Sequence, residues 1–182
     1  VNFGFPKLML NLHLTYTDGS TSEIVSDGSW EITTNGPILA NNDYDGDTYD
    51  ARKEFPDWAK PGFDASKWQP VELVSSPGGV LSAEMQEPMR VTGTIKPVSM
   101  KALRPGVYIY DLGQNMAGWC RLHVSGPAGT RVRLRYAETL KADGSLYRAN
   151  LRGARQTDVY ILKGDGEETW EPRFTSHGFR YV

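Results

Sequence analysis

The chain has 182 residues, enough for one large domain or two modest ones. Its 20 basic and 22 acidic residues leave a formal net charge of −2, so no global field would gather nucleic acid or an anionic membrane, and neither is expected as a partner. The apolar runs are far shorter than the roughly 20 residues of a membrane-spanning helix. The single cysteine, Cys120, excludes an internal disulfide framework and a multi-cysteine metal site.

The first clear pattern is an alternation of apolar and polar side chains over Lys7–Tyr16, which predicts a half-buried strand with four leucines on one face. Asp-Gly pairs at positions 18–19 and 27–28 predict turns that lead into strands at Ser22–Val25 and Trp30–Thr34. Residues 35–70 are rich in Asn, Asp, Gly and Pro, so little regular structure is expected there.

A Pro- and Gly-bearing stretch at Ser75–Gly79 predicts a linker, and we place a module boundary near residue 85, between modules 1–85 and 86–182. The second module contains seven predicted strands separated by turns, a number typical of a β-sandwich. These strands are Arg90–Val98, Gly106–Asp111, Gly118–Val124, Thr130–Tyr136, Thr157–Lys163, Thr169–Phe174 and Phe179–Val182.

The turn at Gly126–Gly129 predicts the clearest hairpin, in which alternate residues of two strands face each other on the buried side. The buried residues would be Cys120, Leu122 and Val124 against Val132, Leu134 and Tyr136. The outer face would carry Arg121, His123, Arg131, Arg133 and Arg135. A solvated sheet face is the favoured interpretation of these arginines, and an anion-binding patch is the alternative. Since no helical period extends beyond two turns, the predicted fold class is all-β.

Five stretches together carry a family resemblance. They are GPILANNDYDGDTYDAR at 36–52, GFDASKWQPV at 62–71, YDLGQNMAGW at 110–119, RYAETLKADGSLYRANLRGARQTDVYILKG at 135–164 and EPRFTSHGFRYV at 171–182. In this order and spacing they resemble the bacterial α-L-rhamnosidases of glycoside hydrolase family 78.

The resemblance implies two β-sandwich modules of the jelly-roll or concanavalin-like kind, the first of them incomplete. They would precede a catalytic (α/α)6 barrel that begins after Val182 and belongs to the same parent chain. Such a parent hydrolyses terminal α-L-rhamnosides with inversion, in the bacterial periplasm or outside the cell, with the cytoplasm as the alternative. Because the hydrolysing acids lie in the barrel, no catalytic residue is expected here, and the chain alone is predicted to be inactive.

An inverting acid–base pair would need two carboxyl groups about 6.5–9.5 Å apart in one cleft. Several acids lie beside glycine, where turn chemistry explains them: Asp18, Asp27, Asp143 and Asp165. The acids without such an explanation are Glu84, Glu138, Glu171 and Asp111. Nothing in the sequence brings two of these acids into one cleft.

The densest set of oxygen ligands is Asn41, Asn42, Asp43, Asp45, Asp47 and Asp50, with Glu54 further on, and the first five are the calcium candidates. Carboxylates at alternate positions resemble the start of a calcium loop. However, the glycine is Gly46 rather than the residue after Asp47, and the flanks are not helical. We favour a polar loop in which Asp50 and Arg52 form turns and ion pairs, so no cofactor is expected and calcium is the alternative.

Gln114 and Asn115 lie near Trp119, and amides beside an aromatic ring can bind sugar hydroxyls and the apolar sugar face. A tight turn after a strand ending at Asp111 explains the amides equally well and is favoured. Two functions follow: a non-catalytic region that supports the barrel, or a carbohydrate-binding module, calcium-dependent or not, for rhamnose-containing glycans.

Overall fold

The computed structural model describes residues 6–76 and 78–182, so Pro77 of the predicted linker lies outside the described residues. The strands are β1 (Asn11–Thr15), β2 (Thr21–Val25), β3 (Glu31–Ile32), β4 (Ile38–Asn42), β5 (Gly46–Asp50), β6 (Gln69–Pro70), β7 (Ser99–Arg104), β8 (Val107–Gly118), β9 (Leu122–Ser125), β10 (Arg131–Arg135), β11 (Thr139–Leu140), β12 (Leu146–Tyr147), β13 (Thr157–Ile161), β14 (Glu167–Trp170) and β15 (His177–Tyr181).

Helix is confined, within the described ranges, to two short 3-10 turns at Ala51–Lys53 and Ala149–Leu151. Neither approaches the length or apolar character that a bilayer-crossing helix requires. The predicted all-β fold class is confirmed.

The strands form two compact units that are interleaved in sequence. Residues up to Thr34 together with Pro56–Met85 make the first unit, and Asn35–Phe55 together with Gln86–Val182 make the second. The division into units differs from the expected boundary near residue 85 in one segment, because β5 pairs with β13 of the second unit and β4 pairs with β5. As a boundary between family modules it stays a prediction.

The first unit contains two small antiparallel sheets, β1–β2 and β3–β6. The side chains of Asp18 and Asp27 accept hydrogen bonds from the amides two residues on, at 2.9 and 2.8 Å, which confirms turns at both Asp-Gly pairs. The leucine face of β1 is less buried than predicted, with Leu8 70% and Leu12 45% exposed. A two-stranded sheet by itself buries little side-chain surface.

The core of the second unit lies between a four-stranded sheet, in the order β10-β13-β5-β4, and the antiparallel pair β9–β14. In the larger sheet β13 is parallel to β5, and the other pairings are antiparallel. Ala51, Tyr160, Leu162 and Trp170 form the buried cluster. Because Tyr49 stacks on Tyr160 with 5.9 Å between ring centroids, the aromatic side chains of adjacent strands share this core.

The predicted hairpin across Gly126–Gly129 is wrong. Instead, β9 pairs with β14 and β10 pairs with β13, so the connection crosses from one sheet to the other. The predicted inward residues Leu122, Val124, Val132 and Leu134 do pack against the shared core. The alternation thus identifies the buried side of each strand, but it does not distinguish neighbours in one sheet from partners across a sandwich.

A third sheet has the order β15-β8-β7 and packs around Leu112, Tyr136 and Phe179. The predicted strand Arg90–Val98 is wrong, since the pairing begins at Ser99. The predicted tight turn after Asp111 is also wrong, because β8 continues to Gly118.

The irregular part of β8 is held by Asp111. Its Oδ1 accepts from the Gly113 amide at 2.7 Å and from Arg180 Nε at 2.8 Å, while Oδ2 accepts from Arg180 Nη2 at 2.9 Å. Gly113 adopts φ +82°, a left-handed conformation that favours glycine. The Gly113–Asn115 segment is therefore an irregularity within a strand.

A buried polar cluster around Asp158 connects β13 with β5 and β15 in the second unit. This fully buried carboxylate accepts from the Tyr136 hydroxyl at 2.6 Å and from the Asp47 amide at 2.9 Å, and His177 Nε2 lies 3.1 Å away. At Gly46, φ is +99°, and a Cβ would stand 2.4 Å from the Thr157 carbonyl oxygen and 2.6 Å from Asp158 Oδ1. Only glycine allows the strands to approach this closely.

Candidate functional site

A cavity of about 640 Å³ opens beside the core of the second unit. Its residues come from the β4–β5 hairpin and the segment after it, from the residue after β8, and from β14 with the segment that follows. They are Ile38, Asp47, Tyr49, Glu54, Trp119, Thr169, Trp170, Glu171, Pro172, Arg173 and Phe174. We call it the Trp119 cavity. Aromatic rings and carboxylates thus line the same cavity.

Two of its carboxylates accept hydrogen bonds from cationic side chains. Glu171 accepts from Trp119 Nε1 at 3.0 Å and from Arg121 Nη2 at 3.3 Å. Glu54 accepts from the Tyr49 hydroxyl and from Lys163 Nζ, both at 3.0 Å. Neither arrangement is that of a general acid, which must hold a proton that it can give away.

The third carboxyl group, Asp47, is only 1% exposed. Burial, followed by the negative charge of Asp158, raises the pKa of Asp47 to about 6, although the nearby polar groups of Asn41, Arg173 and Thr48 oppose the change. Its Oδ1 has no hydrogen-bond partner among the described residues. Asp47 is therefore a buried carboxyl group with one oxygen that has no described hydrogen-bond partner and with a pKa raised to about 6.

The residues predicted to bind carbohydrate do not share one cavity. Trp119 lines the Trp119 cavity, whereas Gln114 is exposed on β8 and Asn115 Nδ2 donates to Glu138 Oε1 at 2.8 Å. Sugar binding by these three residues stays a prediction.

The residues predicted to bind calcium belong to the β4–β5 hairpin. Asn42 Oδ1 accepts from the amides of Tyr44 and Asp45 at 2.9 and 2.7 Å, so it forms the turn, and Asp43 is exposed. Asn41 lies opposite Asp47 in the β-ladder. Among the residues described, no three His, Cys, Asp or Glu side chains are grouped to hold a metal ion. Calcium binding stays a prediction, and this geometry favours the polar loop.

The predicted pairing of Asp50 with Arg52 is confirmed. Asp50 Oδ1 accepts from Arg52 Nε at 2.9 Å and Oδ2 accepts from Nη2 at 2.8 Å, while Oδ1 also accepts from the Arg52 amide at 3.1 Å. The sequence indicated Glu54 only as a further oxygen ligand, and its contacts with Tyr49 and Lys163 were not predicted. Glu54 and Lys163 are 109 positions apart, and no local pattern signals their contact.

The fold and the cavity together define an all-β region in which Glu171 and Glu54 accept hydrogen bonds from cationic side chains. Residues 2–93 match the family model of the α-L-rhamnosidase N-terminal domain, and residues 101–182 match that of the bacterial α-L-rhamnosidase concanavalin-like domain. The chain belongs to the bacterial α-L-rhamnosidase family.

Curated relatives agree with this assignment. An α-L-rhamnosidase of Streptomyces avermitilis is 48% identical over 179 residues, which are 97% of this chain and 17% of the relative. One of Formosa agariphila is 40% identical over 181 residues, 97% of this chain and 19% of the relative. The chain thus spans less than a fifth of the length of these relatives.

Solved structures show the same fold. The α-L-rhamnosidase from Dictyoglumus thermophilum has a TM-score of 0.91 at 48% identity and covers 97% of this chain, which corresponds to 20% of that structure. The Streptomyces avermitilis enzyme complexed with L-rhamnose has a TM-score of 0.88 at 47% identity, over 96% of this chain and 17% of that structure.

Proposed function

We propose that this chain is the non-catalytic β-sandwich region of an α-L-rhamnosidase and that it supports the catalytic barrel of the same parent chain. The parent removes terminal α-L-rhamnosyl groups by an inverting mechanism. The observation that carries the proposal is the extent of the similarity: it runs over 97% of this chain but only 17% of an α-L-rhamnosidase.

The contacts of the acids support a non-catalytic role. Two carboxylates of the Trp119 cavity, Glu171 and Glu54, each accept a hydrogen bond from a cationic side chain. In the third sheet, Asp111 accepts hydrogen bonds from Arg180. Glu168, which is 4% exposed, accepts from the Tyr160 hydroxyl and from two amides. Burial raises the pKa of Glu168, but these hydrogen bonds outweigh it and lower the pKa overall. Such carboxylates serve structure and not proton transfer.

The experiment measures the kinetics of the whole parent protein. Asp47→Asn and Glu171→Gln should each leave kcat and KM for a chromogenic α-L-rhamnoside within about twofold of the parent. Gly46→Ala, which disturbs strand packing, should instead lower the temperature at which the parent loses activity. A fall in kcat of about 100-fold for either acid variant, without loss of stability, would place an acid–base group in this chain and refute the proposal.

Carbohydrate binding is the second candidate function. The observation that favours it is the presence of the Trp119 ring and the Glu171 carboxylate in one cavity. A ring face and carboxylate acceptors suit the apolar face and the hydroxyls of a sugar.

An NMR titration with L-rhamnose tests this second function. Saturable shifts at the backbone amides of Thr169 and Glu171, which line the same cavity, would support sugar binding if they are lost in Trp119→Ala and kept in Trp58→Ala. Trp58 is a matched control because it is 61% exposed and belongs to the first unit. Shifts that do not saturate, or that are equal in both variants, would exclude a sugar site at this ring.

A further inference from the structure

A second concave surface of the same unit lies on the outer face of the four-stranded sheet and has a volume of about 460 Å³. Its floor consists mainly of small and polar residues from β4, β5 and β13: Ala40, Asn42, Gly46, Thr48, Thr157 and Val159. Five arginines surround this floor: Arg131, Arg133, Arg135, Arg148 and Arg155. We call this surface the arginine groove.

The arginines come together for simple geometric reasons. Alternate residues of a strand point to the same face, so Arg131, Arg133 and Arg135 form a row along β10, an edge strand of the sheet. Arg148 and Arg155 come from the segment that precedes β13, which is the neighbour of β10. The inner residues of β10 meanwhile fill the core.

The positive charges of the arginine groove are poorly compensated. In the described part of the chain, the side chains of Arg131, Arg133 and Arg135 have no hydrogen-bond or ion-pair partner. The acid that lines the groove is Asp45, whose Oδ1 lies 3.8 Å from Nε of Arg155, a side chain that is 79% exposed. The groove thus presents five cations to one carboxylate.

Arg148 is a further arginine of the groove whose side chain is incompletely paired. Its Nη2 donates to the Arg155 carbonyl oxygen, while its Nε is buried without a partner among the described residues. Burial, and then the positive charge of Arg135, lowers the pKa of Arg148. The negative charge of a bound anion would oppose this lowering of the pKa of Arg148.

We propose that the arginine groove binds a saccharide that carries an oxyanion, either a carboxylate or a sulfate ester. All five cations are arginines, whose planar guanidinium groups bind two oxygens of such an anion at once. The volume lies in the range of about 300–1,000 Å³ that is usual for small-ligand sites.

A saccharide fits the lining better than a protein partner does. The lining contains no exposed large apolar or aromatic side chain of the kind that forms the centre of protein interfaces. Its Asn42 amide and threonine hydroxyls instead offer hydrogen-bond partners for sugar hydroxyls. The choice of a saccharide rests on the proposed function, whereas the preference for an oxyanion rests on the arginines alone.

Isothermal titration of the 182-residue chain tests the inference. The probes are trigalacturonate, its fully methyl-esterified form as the neutral control, N-acetylglucosamine 6-sulfate, and a hexaglutamate peptide. We expect saturable binding of trigalacturonate or of the sulfated sugar, weakened by added salt, and none of the ester. Binding of one or the other identifies the source of the oxyanion, and either supports the proposal.

The variant Arg133→Gln/Arg135→Gln should weaken binding at least tenfold. Lys101→Gln/Arg104→Gln, which removes the same two charges from exposed positions on β7, should change affinity less than twofold. Unchanged melting temperatures would establish that both variants fold. Binding of hexaglutamate alone, equal binding of the ester, no binding of either anionic sugar, or unchanged affinity in the double variant would overturn the proposal. No outcome depends on rhamnosidase turnover, so the proposed function is tested separately.

Discussion

Replacing the buried Asp47 by asparagine should change the pH dependence of stability. The pKa of Asp47 is raised from its ordinary value of 3.8 to about 6 in the folded chain. A carboxyl group with a raised pKa binds its proton more tightly when folded, so stability falls as pH rises from about 4 to about 6. Below about pH 4 the group is protonated in both states, and above about pH 6 the loss is complete.

The size of the effect follows from the two pKa values. At about 1.36 kcal/mol per pH unit, their separation corresponds to about 3 kcal/mol of lost stability at neutral pH. An asparagine side chain at this position would occupy nearly the same volume and carry no charge at any of these pH values. We therefore expect the free energy of unfolding of Asp47→Asn, relative to the parent, to rise by about 2–3 kcal/mol between about pH 4 and about pH 7.

Urea unfolding, followed by the NMR amide signal of the fully buried Leu162, measures this difference in the second unit. Asp43→Asn is the matched control, because Asp43 is exposed in the same hairpin and should show no such pH dependence. If the free energies of unfolding of Asp47→Asn and the parent differ by the same amount at all pH values, burial does not raise the pKa of Asp47, and this prediction is wrong.

Three further outcomes are expected. Gly46→Ala should destabilise the chain by about 2–4 kcal/mol, because the added Cβ would meet the main chain of the neighbouring strand. Gly166→Ala is the control: Gly166 has φ +89° but open space around it, so the substitution should cost about 1 kcal/mol. Urea titration measures both values. Tyr136→Phe should cost about 1.5–3 kcal/mol by removing a buried hydrogen bond to a carboxylate, and Tyr108→Phe, at an exposed side chain, less than about 0.5 kcal/mol. Millimolar calcium should leave the melting temperature unchanged. A rise in melting temperature that a chelator reverses, and that Asp43→Ala or Asp45→Ala abolishes, would instead support a calcium-binding loop.

The local sequence pattern predicted strands wherever the alternation of side chains was strong. β2, β10, β13 and β15 were all expected within a few residues of their observed bounds. Strands β4 and β5 were missed, because their Asn-, Asp- and Gly-rich sequence resembles a loop. β5 pairs in parallel with β13, which is more than 100 residues away, and β4 then pairs with β5.

The candidate site was less predictable than the strands for the same reason. Turn chemistry at Asp18 and the ion pair of Asp50 with Arg52 are contacts within two residues, and the sequence predicted both. The burial of Asp47 depends on strands far apart in sequence, and so does its raised pKa. The arginine row on β10 was visible in the sequence, but the floor and the remaining arginines of its groove were not.

The most direct test of the central claim is hydrolysis of p-nitrophenyl α-L-rhamnopyranoside by the purified 182-residue chain at high concentration. We predict no release of nitrophenol above the buffer rate, because the proposed function assigns hydrolysis to the barrel of the parent chain, and Glu54 and Glu171 both accept hydrogen bonds from cationic side chains. Turnover that survives repurification and is lost in Glu171→Gln or Asp47→Asn would contradict this account and make the chain itself catalytic.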